Sequence, residues 1–287
     1  MSLKDLIELS RPTHWVKGVF VFMPVPFGLA SGAALDPARF ALGFAGFSLV
    51  ASAVYALNDT LDAEKDALHP DKRDRPVASG RVPPRVALVW SASLLLAGIG
   101  LTLGTGLPGA TATVVLYGGL NLVYCLGGRN LPLIDVFLLS SGFVLRVLLG
   151  CVLLQVPASG WLLLCSSALA LFLALAKRRA DLLLGVEGQY RPSLAGVSTE
   201  FLEQAMGITA TLSILSYSIY CLETPVFVNG RQFASVPFVI FGVLDYLRVA
   251  QVKNVGGAPV EFLLRSPRIL VCGVGWGLGV LFSLGFP

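Results

Sequence analysis

The chain has 287 residues, 55% of them apolar and only 13% charged, with a formal net charge of +4. Soluble domains carry about 25% charged residues. A charge content this low, with a mean hydropathy of +0.77, excludes an ordinary soluble domain and points to a protein that crosses the bilayer several times. The small positive balance follows from membrane topology, and no nucleic-acid module is visible.

At about 20 apolar residues per crossing, the sequence predicts an all-α bundle of nine transmembrane helices. They lie at approximately 15–34, 39–57, 86–104, 108–126, 133–154, 160–177, 202–222, 233–250 and 268–286, in one transmembrane domain over residues 1–287. The first follows Lys4 and Arg11 and is expected to be a true crossing, since so many further spans need no separate leader. The spans are rich in glycine and other small residues, which let helices approach closely in lipid.

Lysine and arginine placement sets the orientation. With the N-terminus in the cytoplasm, every cation except Arg39, Arg231 and the intramembrane Arg146 falls on the cytoplasmic side. Outer connections such as Gly104–Pro108 are short and nearly uncharged. The cytoplasmic connections 58–85 and 177–201 are long and charged, and long loops are often functional. The sequence therefore expects chemistry at the cytoplasmic face.

The first of those connections opens on NDTLDAEKDALHPDKRDRP, from Asn58 to Pro76. If the second span continues as a helix, Asp59, Asp62 and Asp66 are spaced i, i+3, i+7, and Asn58 joins Asp62 and Asp66 on an i, i+4, i+8 face. Carboxylates so close repel unless a cation neutralises them. Mg²⁺ prefers one or two carboxylates, water and substrate phosphates, so the spacing suits a metal-bridged diphosphate at a helix end. Lys72, Arg73 and Arg75 follow at once, flanked by prolines, and both cation types suit phosphates. The plainer alternative is a solvated cap that neutralises itself.

The second connection opens on Lys177-Arg178-Arg179-Ala180-Asp181. On a helix Lys177 and Asp181 share a face; an interface anchor with snorkelling side chains is the plainer alternative. Arg146 lies inside the fifth span, where insertion costs at least ~2.5 kcal/mol, so it is expected to face the bundle interior and serve function. The five cysteines all lie in apolar runs without C-x-x-C pairs, and the two histidines are too few for a histidine metal site. Hydrolase and nucleotide-hydrolysing motifs are missing.

Asn58-Asp59-x-x-Asp62-x-x-x-Asp66 resembles the UbiA superfamily of intramembrane prenyltransferases. His69-Pro70-x-Lys72-Arg73-x-Arg75-Pro76-Val77-Ala78-x-Gly80 and Lys177-Arg178-x-Ala180-Asp181-Leu182 resemble its decaprenyl-phosphate phosphoribosyltransferase branch. Supporting matches are Arg11-Pro12-x-x-Trp15-x-Lys17, Tyr55, Gly142-Phe143-x-Leu145-Arg146 and Tyr190-Arg191-x-Ser193-Leu194. The resemblance implies nine helices around a central cavity open to the cytoplasm. It implies Mg²⁺-dependent transfer of phosphoribose from 5-phosphoribosyl 1-diphosphate (PRPP) to a polyprenyl phosphate, for cell-wall synthesis, at the plasma membrane.

On that reading Asp59, Asp62 and Asp66 hold the metal, with Asn58 in support. Lys17, Lys72, Arg73, Arg75, Lys177 and Arg178 take the donor's phosphates, and Arg129 and Arg146 the lipid phosphate. Asp181 serves a second metal, a ribose hydroxyl or Lys177. Relatives that use prenyl diphosphates carry a second Asp-x-x-x-Asp after the sixth span, where this chain has one acid. Two rival readings are a prenyltransferase with an aromatic acceptor and a membrane transporter. The oligomeric state is open between monomer and homo-oligomer.

Overall fold

The computed structural model describes residues 2–68, 72–184, 192–252 and 266–285. Among these all the regular secondary structure is helical. A short helix α1 (Leu3–Ser10) leads into a 3₁₀ helix (Pro12–Phe22) and a two-turn helix α2 (Val25–Ala30). Next come α3 (Pro37–Leu61), the single turn α4 (Ala63–Ala67), α5 (Pro84–Leu103) and α6 (Pro108–Leu126). The rest is α7 (Ile134–Leu153), α8 (Gly160–Leu183), α9 (Thr199–Glu223), α10 (Val236–Val252) and α11 (Pro267–Ser283), with 3₁₀ turns at Gly128–Asn130 and Pro192–Leu194.

Six of these helices, α3 and α5 to α9, are long and apolar enough to cross a membrane. The expected count of nine is not reached among the described residues. The expected span 15–34 is broken into the 3₁₀ helix and α2, because Pro24 and Pro26 offer no amide hydrogen and clash with the preceding turn. The expected spans 233–250 and 268–286 are the 17-residue helices α10 and α11, at the lower end of the roughly 17–25 residues that cross a bilayer.

The helices start where local chemistry predicts. Asp36 caps α3 by accepting from the amides of Ala38 and Arg39 at 3.0 and 3.1 Å, with Pro37 in the first turn. Proline opens α5, α6 and α11 in the same way.

Two compact units form from interleaved segments. The first comprises residues 1–25, 34–128 and 145–156, the second 26–33, 129–144 and 157–287. In the first, Phe40, Phe47 and Val50 of α3 pack with Val114 and Tyr117 of α6 and with Leu149 and Leu153 of α7. α3 and α5 meet backbone to backbone: a Cβ on Gly98 would stand 2.7 Å from the Gly46 carbonyl oxygen. That is how small residues bring helices together in lipid, where the hydrophobic effect does not drive helix association. A second cluster, with Leu9, Ala56, Val77, Val82 and Ala87, sits beneath the loop after α4 and fixes it to α1, α3 and α5.

In the second unit Phe172 to Ala176 of α8 pack with Leu202 and Met206 of α9 and with Val243 and Tyr246 of α10. Phe27, Tyr217, Tyr220, Phe227 and Val280 form a further aromatic-rich cluster. Tyr217 is tied in by Ser235 at 2.7 Å and by the Trp276 indole N–H at 2.8 Å.

Candidate active site

α3 does not stop at its apolar run. It carries Asn58 and Asp59 in its last turn and ends on Asp62, whose φ of −98° and ψ of 2° leave the helix before α4 resumes it for one turn. The expected unbroken i, i+3, i+7 face is therefore interrupted at Asp62. Asp62 instead accepts from the Asn58 side-chain amide at 3.1 Å. Asn58 in turn accepts from the Cys125 thiol at 3.5 Å.

Asp59 and Asp66 remain together. Both are buried, at 2% and 4% exposure. One nitrogen of Arg75, Nη1, bonds Asp59 Oδ1 at 3.1 Å and Asp66 Oδ2 at 2.6 Å. Arg11 Nη2 holds both oxygens of Asp59, at 2.7 and 2.9 Å. Lys72 Nζ stands 4.0 Å from Asp66 Oδ1. Arg75 was expected to face substrate phosphates; here it lies between the acids, the position a cation would take.

Arg11 links α1 to the 3₁₀ helix with φ 49° and ψ 59°, a left-handed conformation that costs a non-glycine residue of order 1 kcal/mol and is characteristic of functional sites. Its guanidinium also lies 5.3 Å from the Tyr55 ring centre, which adds cation–π attraction.

Arg73 is exposed, and Lys17, on the 3₁₀ helix, is half-buried. Arg146 is buried at 6% and stacks on Phe47 and Tyr117, 4.6 and 5.3 Å from their ring centres. It lines a pocket with His14, Trp15, Phe44 and Ser48, so the expectation of an inward-facing arginine holds within this unit.

The second unit has its own charge cluster. Arg178 is 1% exposed, donating from Nε to Asp135 at 2.5 Å and from Nη1 to Asp181 at 2.9 Å. Ser193 also donates to Asp135, at 2.9 Å. Arg178, expected to take a donor phosphate, is buried against the carboxylates of Asp135 and Asp181. Lys177 and Asp181 are half-buried, as is Arg129 in its 3₁₀ turn. Arg179 is fixed by Glu203 at 2.8 Å and by the carbonyl of Ala250 at 2.7 Å. The motif residues His69, Pro70, Tyr190 and Arg191 lie outside the described residues.

Asp135 and Arg11 acquire roles that sequence reasoning did not give them. Asp135 is the single acid of an apolar run, and the rule that singled out Arg146 applies equally to it: an intramembrane charge needs a partner. Arg11 offered no comparable signal, because its partner is 48 residues away.

The residues of the first unit fit a hard divalent cation. The donors are oxygens throughout, two carboxylates are buried side by side, and a protein cation bridges them. Among the described residues no three acid, histidine or cysteine side chains gather into a ready-made metal cage.

Residues 19–254 match the UbiA prenyltransferase family. The chain belongs to that family. It is an integral membrane enzyme of the transferase class, as the resemblance read from the sequence implied. The decaprenyl-phosphate phosphoribosyltransferase of Corynebacterium glutamicum is 32% identical over 97% of this chain and 86% of its own length. The protein of the same name from Mycobacterium tuberculosis H37Rv is 30% identical over 94% and 91%. Among solved structures, a UbiA homolog from Archaeoglobus fulgidus bound to GPP and Mg²⁺ superposes with a TM-score of 0.75 at 16% identity, covering 98% of each chain. At that identity the likeness carries the fold alone.

Proposed function

We propose that this UbiA-family chain transfers 5-phosphoribose from PRPP to a polyprenyl phosphate, releasing pyrophosphate, at the cytoplasmic face of the plasma membrane. The observation that carries the reading is the buried pair Asp59 and Asp66, balanced by partly exposed cations at the end of a membrane-length helix. The named relatives over nearly the whole chain support the choice of donor and acceptor. The distribution of lysine and arginine supports the orientation.

In the proposed reaction an oxygen of the lipid phosphate bonds to the ribose anomeric carbon. The bond from that carbon to the diphosphate oxygen breaks, and its electron pair leaves with pyrophosphate. A single displacement inverts the anomeric carbon. The lipid phosphate is already an anion near neutral pH, so the site needs no histidine–carboxylate base. Asp59 and Asp66 would hold Mg²⁺, with Asp62 and Asn58 in support. When bound, the metal offsets the negative charge gathering on the leaving group.

Lys17, Lys72, Arg73 and Arg75 would take the donor's phosphates as point charges and planar forks. Arg146, set among aromatic rings in an apolar pocket, suits an anionic head with an apolar tail. Within the second unit, Lys177 and Arg129 are anion ligands by motif, and Arg178 positions Asp181 through a 2.9 Å bond.

The test is transfer of labelled phosphoribose from PRPP into the lipid fraction by purified protein with Mg²⁺ and polyprenyl phosphate. The expected result is lipid-linked label and stoichiometric pyrophosphate. Transfer from a labelled prenyl diphosphate to an aromatic acceptor, with none from PRPP, would overturn the proposal.

A further inference from the structure

The charges of Asp59 and Asp66 are offset before any ligand arrives. The two acids bring two negative charges, and Arg11, Arg75 and Lys72 already bring three positive ones. The two buried acids are already satisfied: Asp59 by Arg11 and Arg75, and Asp66 by Arg75 at 2.6 Å and by Lys72. A divalent cation entering alone would add two positive charges to a mostly buried site whose acids are already offset, where they are poorly screened.

The partners differ in how they are held. Arg11 grips both oxygens of Asp59 from a constrained backbone junction. Arg75 reaches both acids through one nitrogen, and 26% of its side chain is exposed. Its backbone is anchored: the Arg75 amide donates to the Lys72 carbonyl at 3.0 Å, and its carbonyl accepts from Ser79 at 2.9 Å. An anchored backbone with a long, partly exposed side chain lets the guanidinium swing while the loop stays in place.

We propose that Arg75 is an internal counter-ion that must leave the Asp59–Asp66 pair before a divalent cation enters, so that metal and diphosphate bind together, with the freed guanidinium passing to the phosphate oxygens. This rests on the metal–diphosphate reading above and adds an order and a gatekeeper to it. Metal and polyanion each raise the other's affinity by the same factor, as linkage requires. The resting site needs no metal to offset its acids and holds metal only weakly without donor.

Equilibrium dialysis of the detergent-purified full chain, with Mn²⁺ as the probe metal, tests this by protein-retained metal, with and without inorganic pyrophosphate. In the wild type, pyrophosphate is expected to raise Mn²⁺ retention affinity by about tenfold or more, within the usual range of coupling between sites. Arg75→Gln is expected to bind Mn²⁺ alone about tenfold more tightly than wild type and to lose most of the coupling; Arg75→Lys, which keeps the charge, should stay near wild type. Equal Mn²⁺ affinity with and without pyrophosphate in the wild type would overturn the counter-ion role while leaving the metal reading intact. So would an Arg75→Gln protein with unchanged Mn²⁺ affinity and an unchanged melting profile. Wild-type protein that retains no Mn²⁺ under either condition would overturn the metal–diphosphate reading itself. The wild-type comparison needs no variant, so misfolding of Arg75→Gln leaves a decisive arm.

Discussion

Each unit sets buried carboxylate against arginine, and the two clusters differ in how open the arginine is. In the first, Arg11 and Arg75 are 23% and 26% exposed and Lys72 is 37% exposed, over carboxylates that are almost wholly buried. In the second, Arg178 is 1% exposed and Asp135 2%. The same ion-pair chemistry therefore serves two ends. A cation that reaches water can be exchanged for another cation. A cation sealed among helices is committed to its partners, and its removal exposes the full desolvation cost of the charge left behind.

Function should break at the first cluster. Asp66→Asn removes one of the two buried carboxylates and is expected to lower the proposed phosphoribosyl transfer by about 10³-fold, the scale of losing a key electrostatic contact at a reacting charge. Its melting temperature should stay near that of the wild type. Retained transfer would remove Asp66 from the site.

Stability should break at the second. Arg178→Met leaves Asp135 buried and unpaired and is expected to cost about 3–5 kcal/mol, read by thermal unfolding in detergent. The double variant Arg178→Met/Asp135→Leu should recover most of that loss, because an apolar replacement of a whole buried pair is often neutral. A double variant as unstable as the single one would mean that the pair is not what stabilises this corner.

A packing control separates charge from close fit. Gly98→Ala puts a methyl group 2.7 Å from the Gly46 carbonyl oxygen and 2.7 Å from Val50 Cγ2. Overpacking of this kind costs about 1–3 kcal/mol. It should lower the unfolding temperature without changing Mn²⁺ coupling at Arg75.

The smallest effect is expected at the surface. Arg81 bonds Asp5 at 2.9 Å and Glu8 at 2.8 Å and so clips α1 to the loop after α4. Hydrogen bonds from Ser2, then Arg81, hold the Asp5 carboxyl below its ordinary 3.8, and Arg81 holds Glu8 below its ordinary 4.5. Carboxylates depressed on folding add stability that is full above the ordinary values and is lost as pH falls through the depressed ones. Arg81→Gln should lower the melting temperature slightly and equally at pH 7 and pH 6. The difference from wild type should shrink below about pH 4. A difference that persists at pH 2 would assign the effect to packing.

Most of the helical fold was legible in the residues because its signals are local. The spans 39–57, 86–104, 108–126, 133–154, 160–177 and 202–222 each fall on a helix of membrane length, since apolar length is a property of one segment. The first expected span failed for a reason that was also local: Pro24 and Pro26 were visible, but apolar composition outweighed them. The acid motif was readable too, as a set of oxygen donors at a helix end. Its partners were not. Asp59 is satisfied by Arg11, 48 residues earlier, and Arg178 by Asp135, 43 residues earlier, and no spacing rule reaches that far.

The sequence by itself determined that this chain is helical, crosses a membrane and keeps acids and cations at helix ends, because hydropathy and charge placement are summed along the chain. Only the tertiary structure decided which cation sits on which acid, which of them water can reach, and that Asp62 turns aside while Asp59 and Asp66 share Arg75. Whether a buried charge is exchangeable or fixed depends on the surrounding dielectric and on every partner within about 4 Å, and those are set by segments distant in the chain.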